Sequence, residues 1–165
     1  MRVLGIDTSL RSTGVAVVES RGTALAAVEY DTLRIPAAAS LSECLRRLAD
    51  GIGETIGRTA PDAVAIEGVF YCKNVKTAIV LGEARGAVIA ACTARAVPVY
   101  EYEPRRIKQA LVGFGGAEKA QVRMMAMRLL GLDVEPQEDA GDALALAICH
   151  LHGSTVHEVL RRKPI

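Results

Sequence analysis

Tryptophan is absent from the 165 residues and phenylalanine occurs only twice. A core organised around large rings is thereby excluded, and the interior must be built from aliphatic side chains. Cysteine is sparse and scattered. Cys44, Cys72, Cys92 and Cys149 form no CxxC pair, which argues against a zinc site and for reduced thiols in a cytosolic protein. Neither charge sign dominates. The formal charge is +1, whereas a non-specific DNA coat protein is usually basic, so any nucleic-acid contact must come from a local patch. No apolar run approaches the ~20 residues that span a bilayer, and Asp7 comes too early for a signal-peptide core. A soluble, cytoplasmic chain with no membrane partner is expected. Nor is there a repeat, a linker or a low-complexity stretch. With half the residues apolar and 24% charged, the chain reads as one folded domain over 1–165, its tail after about 153 of open order.

What is present is a regular alternation of strand and helix signals. Residues 2–7 form a short apolar run suited to a buried strand, followed by strands over 13–19 and 24–30 with Gly22 at the turn between them, an antiparallel meander. Ser40 with Glu43 three residues on is a capping box. Leu41, Leu45, Leu48, Ile52 and Ile56 then give a helix with one apolar stripe, which Pro61-Asp62 breaks. A strand over 63–67, a long helix over about 74–95 and a strand over 98–102 follow. Pro104 suits the first turn of a short helix. Gly113-Phe114-Gly115-Gly116 is a loop before a helix over about 118–130, and Pro136 opens a last helix to about 152. This pattern predicts an α/β fold, a five-stranded mixed sheet with helices on both faces.

Four carboxylates sit at telling places in that pattern. Asp7 closes the apolar run 3–6 and Glu67 closes 63–66. Asp139 and Asp142, three apart on a predicted helix, share one face. Acids beside apolar runs are costly to bury unpaired, and brought together they repel unless a cation neutralises them. Hard oxygen ligands that leave room for water and a phosphate suit Mg²⁺ or Mn²⁺. Two such ions, roughly 3.5–4 Å apart, bind both the attacking water and the leaving oxygen in metal-assisted phosphodiester hydrolysis. Taken singly, each acid also has a plain reading, as a turn residue after a strand or as a helix N-terminal acid favoured by the macrodipole.

The chain resembles the RuvC family of Holliday-junction (crossover junction) endonucleases, from Leu4 to about His152. The likeness rests on Leu4-Gly5-Ile6-Asp7, on Ala65-Ile66-Glu67-Gly68-Val69-Phe70 with Lys73-Asn74, and on Leu81-Gly82-Glu83-Ala84-Arg85-Gly86. Lys108-Gln109, Gly116-Ala117-Glu118-Lys119 and the Asp139/Asp142 segment follow in the same order. Thr8-Ser9 stands where the family usually has Pro-Gly, a replacement that bears on the turn beside the first acid. The resemblance implies a ribonuclease-H-like fold and a metal-dependent resolvase for four-way DNA junctions in recombination and repair. It would make paired symmetrical nicks that leave ligatable 5′-phosphate ends. Two Mg²⁺ per subunit are implied, with Mn²⁺ as a substitute, together with a homodimer and the RuvA–RuvB branch-migration complex as partner. A YqgF-type nuclease and an actin/sugar-kinase-like ATP-binding domain, which share the first strand motif, are rival readings, and a non-catalytic junction-binding protein that kept the fold is a third, against which the full carboxylate set argues.

By the same resemblance Asp7, Glu67, Asp139 and Asp142 are the metal ligands and catalytic residues, and Lys119 and Lys108 face the DNA near the scissile phosphate. Lys119 would neutralise charge developing on the phosphate, although a helix-face lysine is otherwise a solubility residue. Lys73, Lys76, Arg105, Arg106 and Arg123 are candidates for backbone phosphates. Phe70 and Tyr71, beside Glu67, could stack on or wedge between unpaired bases, or Phe70 could tuck into the core edge. Ile79, Gly82 and Gly86 on the long helix are candidates for the dimer interface. Glu138 points about 100° from Asp139 and reads as solvated. The Gly113–Gly116 loop fits neither a dinucleotide fingerprint nor a Walker loop. His150 and His152, two apart, cannot share a metal from one helix face and read as surface or partner contacts; Cys92 and Cys149 read as core.

Overall fold

A computed structural model of the chain describes residues 1–68, 74–154 and 163–165. Its elements are β1 Arg2–Asp7, β2 Ser12–Arg21, β3 Ala24–Arg34, α1 Leu41–Thr59, β4 Ala63–Glu67, α2 Val75–Thr93, β5 Val99–Tyr102, α3 Pro104–Val112, α4 Lys119–Leu130 and α5 Glu138–Ser154. The strands form one sheet in the order β3-β2-β1-β4-β5. β1–β2 and β2–β3 pair antiparallel, whereas β1–β4 and β4–β5 pair parallel. This is the mixed, ribonuclease-H-like sheet implied above. β2 and β3 run further than the sequence suggests, to Arg21 and Arg34. Strand pairing carries them past the point where hydrophobic alternation fades. The register slips between Val17 and Val18, so that Val28 is the extra residue of a bulge.

The period-two pleat of a strand decides which side chains meet which helices. Leu4 and Ile6 of β1, Val15 and Val17 of β2, and Val64 and Ile66 of β4 join Leu48, Ile52 and Ile56 of α1 and Ala84 and Val88 of α2 in one buried layer. The alternate residues Val3, Ala16, Val18 and Ala65 face the opposite layer, made by α3, α4 and α5. Burying each large aliphatic side chain there contributes about 1.5–3 kcal/mol. By the same alternation Asp7 and Glu67 lie on the α5 side.

α5 comes unusually close to that side. A Cβ on Gly5 would overlap the carbonyl oxygen of Ala143, and one on Gly14 would overlap the carbonyl oxygen of Asp139. Two bare positions in adjacent strands therefore seat the helix against backbone. α1 starts on Ser40, whose hydroxyl accepts from the Glu43 amide at 3.3 Å, while the Glu43 carboxylate turns to Arg46 and Arg47. It ends on Ala60 in the left-handed region (φ 46°) just before Pro61.

His150 departs from the expectation of a surface residue. It is buried, its Nδ1 lies 2.9 Å from the Tyr102 hydroxyl, and its ring meets Tyr100 edge-on at 4.6 Å. Burial lowers its pKa to about 4, so the ring is neutral and serves the core as a polar filler. The apolar neighbours Cys149 and Leu151, buried alongside it, explain why its own position turns inward. Cys44, Cys92 and Cys149 are buried.

Candidate active site

Asp7 ends β1 and Glu67 ends β4. These strands are parallel neighbours whose register runs Gly5↔Ala65, Ile6↔Ile66, so one further step sets the two acids side by side at the same end of the sheet. Asp139 and Asp142 lie in the first turns of α5, delivered to that end by the Gly14 contact with Asp139. All four are partly buried. A cleft of about 190 Å³ beside Glu67 and Asp142 is also lined by Lys108, Lys119, Ile107, Val122 and Leu146.

The electrostatics are those of crowded anions. Burial, followed by repulsion from Asp142, Glu67 and Asp139, raises the Asp7 pKa to about 7, with Lys119 acting in the opposite sense. Burial and then Asp142 also raise Glu67, while Lys119 and Lys108 oppose the shift. Lys119 Nζ donates to Asp142 Oδ2 at 2.8 Å and lies 3.7 Å from Glu138 Oε1. That hydrogen bond raises the ammonium's own pKa. Burial, reinforced by the neighbouring carboxylates, thus favours a proton on Asp7 near neutral pH.

This donor set fits a hard divalent cation, which would relieve the repulsion that keeps Asp7 protonated. Among the described residues, no three acids, histidines or cysteines close around one point as a finished metal cage. The cluster is open, as befits an ion that retains waters and takes phosphate oxygens as ligands. Asp7, Glu67, Asp139 and Asp142 would hold such an ion, which when bound would polarise a phosphodiester and activate water.

Several residues that hold these acids in place carry no sequence signal of their role. The Ser12 hydroxyl donates to Asp139 Oδ2, a contact across 127 positions of chain. Arg85 of α2, largely buried, donates from Nη1 to the Glu67 carbonyl oxygen at 2.6 Å and from Nη2 to the Glu101 carboxylate. Its one sequence signal is its place in the Leu81-Gly82-Glu83-Ala84-Arg85-Gly86 segment, which says nothing of the partners it reaches. Gly5 and Gly14 look like ordinary strand glycines until α5 is laid across them. In the turn after Asp7, Thr13 ties down Ser9, accepting from its amide and donating to its carbonyl oxygen. Neither Thr8 nor Ser9 has a positive φ, so this turn needs no glycine. The Thr8 hydroxyl is buried without a hydrogen-bond partner.

The remaining candidates distribute as follows. Glu138 is exposed and lies 3.7 Å from both Lys119 and Arg123, and Arg123 also binds Glu135 at 2.9 Å. Arg105, Arg106 and Lys76 are exposed. Ile79, Gly82 and Gly86 lie on the outer face of α2, and a Cβ at either glycine would meet open space. Phe70, Tyr71 and Lys73 lie outside the described residues, as does Cys72.

A family model described as "Crossover junction endodeoxyribonuclease RuvC" matches residues 3–150. The Crossover junction endodeoxyribonuclease RuvC of Cupriavidus metallidurans is 48% identical over 153 residues, covering 93% of this chain and 84% of its own. Among solved structures, T. thermophilus RuvC in complex with Holliday junction substrate matches with a TM-score of 0.89 at 33% identity, over 93% of this chain and 94% of that one. A second Thermus thermophilus RuvC structure gives a TM-score of 0.86 at 34% identity, covering 93% and 95%.

Proposed function

Since the chain belongs to the RuvC family of crossover junction endodeoxyribonucleases, we propose that it resolves four-way DNA junctions by cutting phosphodiester bonds at the Asp7–Glu67–Asp139–Asp142 cluster. It is a nuclease of recombination and repair. Nucleases of this family are metal-dependent. The finer reading is two Mg²⁺ per subunit, with Mn²⁺ able to replace them, and products with ligatable 5′-phosphate ends.

The observation that carries this reading is the gathering of four acids at one end of the sheet, where burial first, and then repulsion from Asp142, Glu67 and Asp139, raises the Asp7 pKa to about 7. A cluster of that kind is a cost to folding and gains a purpose only with a cation and a phosphate. Lys119 binds Asp142 and borders the same cleft, so it stands ready to meet negative charge gathering on the scissile phosphate. Lys108 lines the same cleft and would hold a neighbouring phosphate. Arg105, Lys73 and Lys76 would contact further backbone phosphates, and Phe70 and Tyr71 would stack on or wedge between unpaired bases.

Two nicks need two sites. A homodimer meeting through Ile79, Gly82 and Gly86 supplies them, and the RuvA–RuvB complex would deliver the junction in the cytoplasm. Among the described residues no helix is long and apolar enough to cross a membrane.

The test is a labelled four-way junction, a linear duplex and an RNA, each with and without Mg²⁺. Paired nicks in the junction alone, dependent on the ion, are expected. Asp7→Asn should lower cleavage by about a hundredfold or more while junction binding persists. Cleavage of RNA in preference to junction would favour the YqgF-type reading.

A further inference from the structure

Phe114 is one of two phenylalanines in the chain, and it is 67% exposed. A single exposed apolar side chain is ordinary on a protein surface. This one differs in how it is held and in what surrounds it.

The ring stands in the loop that joins α3 to α4, and that loop is built to keep it outward. Gly113, with φ 79°, turns the chain out of α3. The Phe114 carbonyl oxygen accepts from the Ala117 amide at 3.2 Å, closing a tight turn, and Ala117 is buried beneath it. A Cβ on Gly116 would come within 2.7 Å of the Phe114 ring, and a Cβ on Gly115 within 2.5 Å of Arg105 Cγ. The ring therefore lies over bare backbone, and the loop folds back along α3 to Arg105 in its first turn. Both glycines have a use here that nucleotide binding does not explain.

The surroundings are cationic and adjoin the cleft. Lys108 of α3 and Lys119, the first residue of α4, line the cleft together with Glu67 and Asp142. Arg105 and Arg106 are exposed in the first turn of α3. Among the described residues neither forms an ion pair. An apolar ring on a loop that packs on Arg105, at the head of the helix whose Lys108 lines the cleft, is suited to a polyanion whose charged backbone encloses an apolar interior.

We propose that Phe114 contacts the junction arm next to the scissile phosphate, packing its ring on the sugar and base edges while Arg105, Arg106 and Lys108 take the flanking phosphates. The contact is separate from any made by Phe70 at the junction centre. It acts on binding and on the choice of cleavage site, and leaves the chemistry to the four acids. This rests on the junction-nuclease reading above.

The absence of tryptophan supplies a clean probe. In Phe114→Trp the indole is the sole tryptophan, and its emission should shift to the blue or quench on titration with four-way junction in EDTA. In anisotropy titrations with labelled junction, Phe114→Ala should weaken binding about tenfold with an unchanged melting temperature, and Phe114→Leu should recover part of the loss. On junctions randomised around the crossover, Phe114→Ala should cut with a flatter sequence preference. An indole whose emission ignores saturating junction overturns the proposal, even if Phe114→Ala folds poorly. So does Phe114→Ala binding within twofold of wild type. If Phe114→Ala turns a dimer into a monomer by light scattering, the ring belongs to a subunit contact and the proposal falls. Failure of the wild-type protein to bind junction at all sinks the nuclease reading, and this contact with it.

Discussion

At the scale of single residues, Asp7 and His150 pull the protein's stability in opposite directions as pH changes. Asp7 has its pKa raised from 3.8 to about 7. Between those values the folded state keeps a proton that the unfolded chain has lost, so its contribution is complete below pH ~4 and is lost as pH rises through about 7. The swing is about 4 kcal/mol at its limit. His150 is lowered from 6.5 to about 4. Its contribution is present above pH ~6.5 and is lost as pH falls through about 4, by a similar amount. In metal-free buffer the two slopes offset each other between pH 4 and 6.5. Replacing Asp7 separates them. The stability of wild type minus that of Asp7→Asn, from urea unfolding in EDTA, should fall from pH 4 to about pH 7 and level off above it, and added Mg²⁺ should restore it at pH 8. A difference that stays level would mean that Asp7 is not crowded by its neighbours. The four acids themselves were legible from the sequence, because each closes an apolar run or shares a helix face. His150 was not, since the pair His150 and His152 gives no sign of which ring turns toward the tyrosines of β5.

At the scale of elements, the site is a strand-end pair brought to a helix. Pleat alternation, visible in Val3-Leu4-Gly5-Ile6-Asp7, already assigns Asp7 to the face opposite Leu4 and Ile6. Which helix would cover that face was not visible, because it depends on Gly5 and Gly14 admitting α5 to backbone contact. Here the structure makes a firm prediction. Gly14→Ala must push the Asp139 turn away from β2, and with it Asp142 and its bond to Lys119. Cleavage should fall by about a hundredfold, since misplacement of about 1 Å has that effect. Part of the core survives on the α1–α2 side, so a folded protein with a lower melting temperature is expected. The same turn displaced without loss of rate in a single-turnover assay would show that Asp139 need not sit where Gly14 places it. The bonds from Ser12 and Arg85 belong to this scale too. Both join segments far apart in the chain, which local pattern cannot reveal.

At the scale of the whole molecule, α2 has two apolar sides. Ala84, Val88, Ala91 and Cys92 enter the core, while Ile79, 57% exposed, lies on the other side with Gly82 and Gly86. An exposed isoleucine beside two glycines with open space around them offers a second helix a close approach. Ile79→Glu should therefore halve the mass seen by light scattering at micromolar concentration, and it should convert paired nicks into isolated ones in a supercoiled cruciform assay. A wild-type protein that is already monomeric at that concentration would remove α2 from consideration. Helix composition made this face legible from the sequence, whereas the link between it and the site was hidden. That link is Arg85, on the same helix, bonded to the backbone of Glu67.

The two bare strand positions under α5 also bear on how this sequence can drift over generations. Most interior sites absorb a methyl group by a small shift of neighbouring side chains, but at Gly5 and Gly14 the obstacle is main chain, which has nowhere to retreat. Natural variation there should be purged for lost catalysis well before the protein ceases to fold, so these two inconspicuous glycines should prove as intolerant of change in a mutational scan as the acids they help to gather.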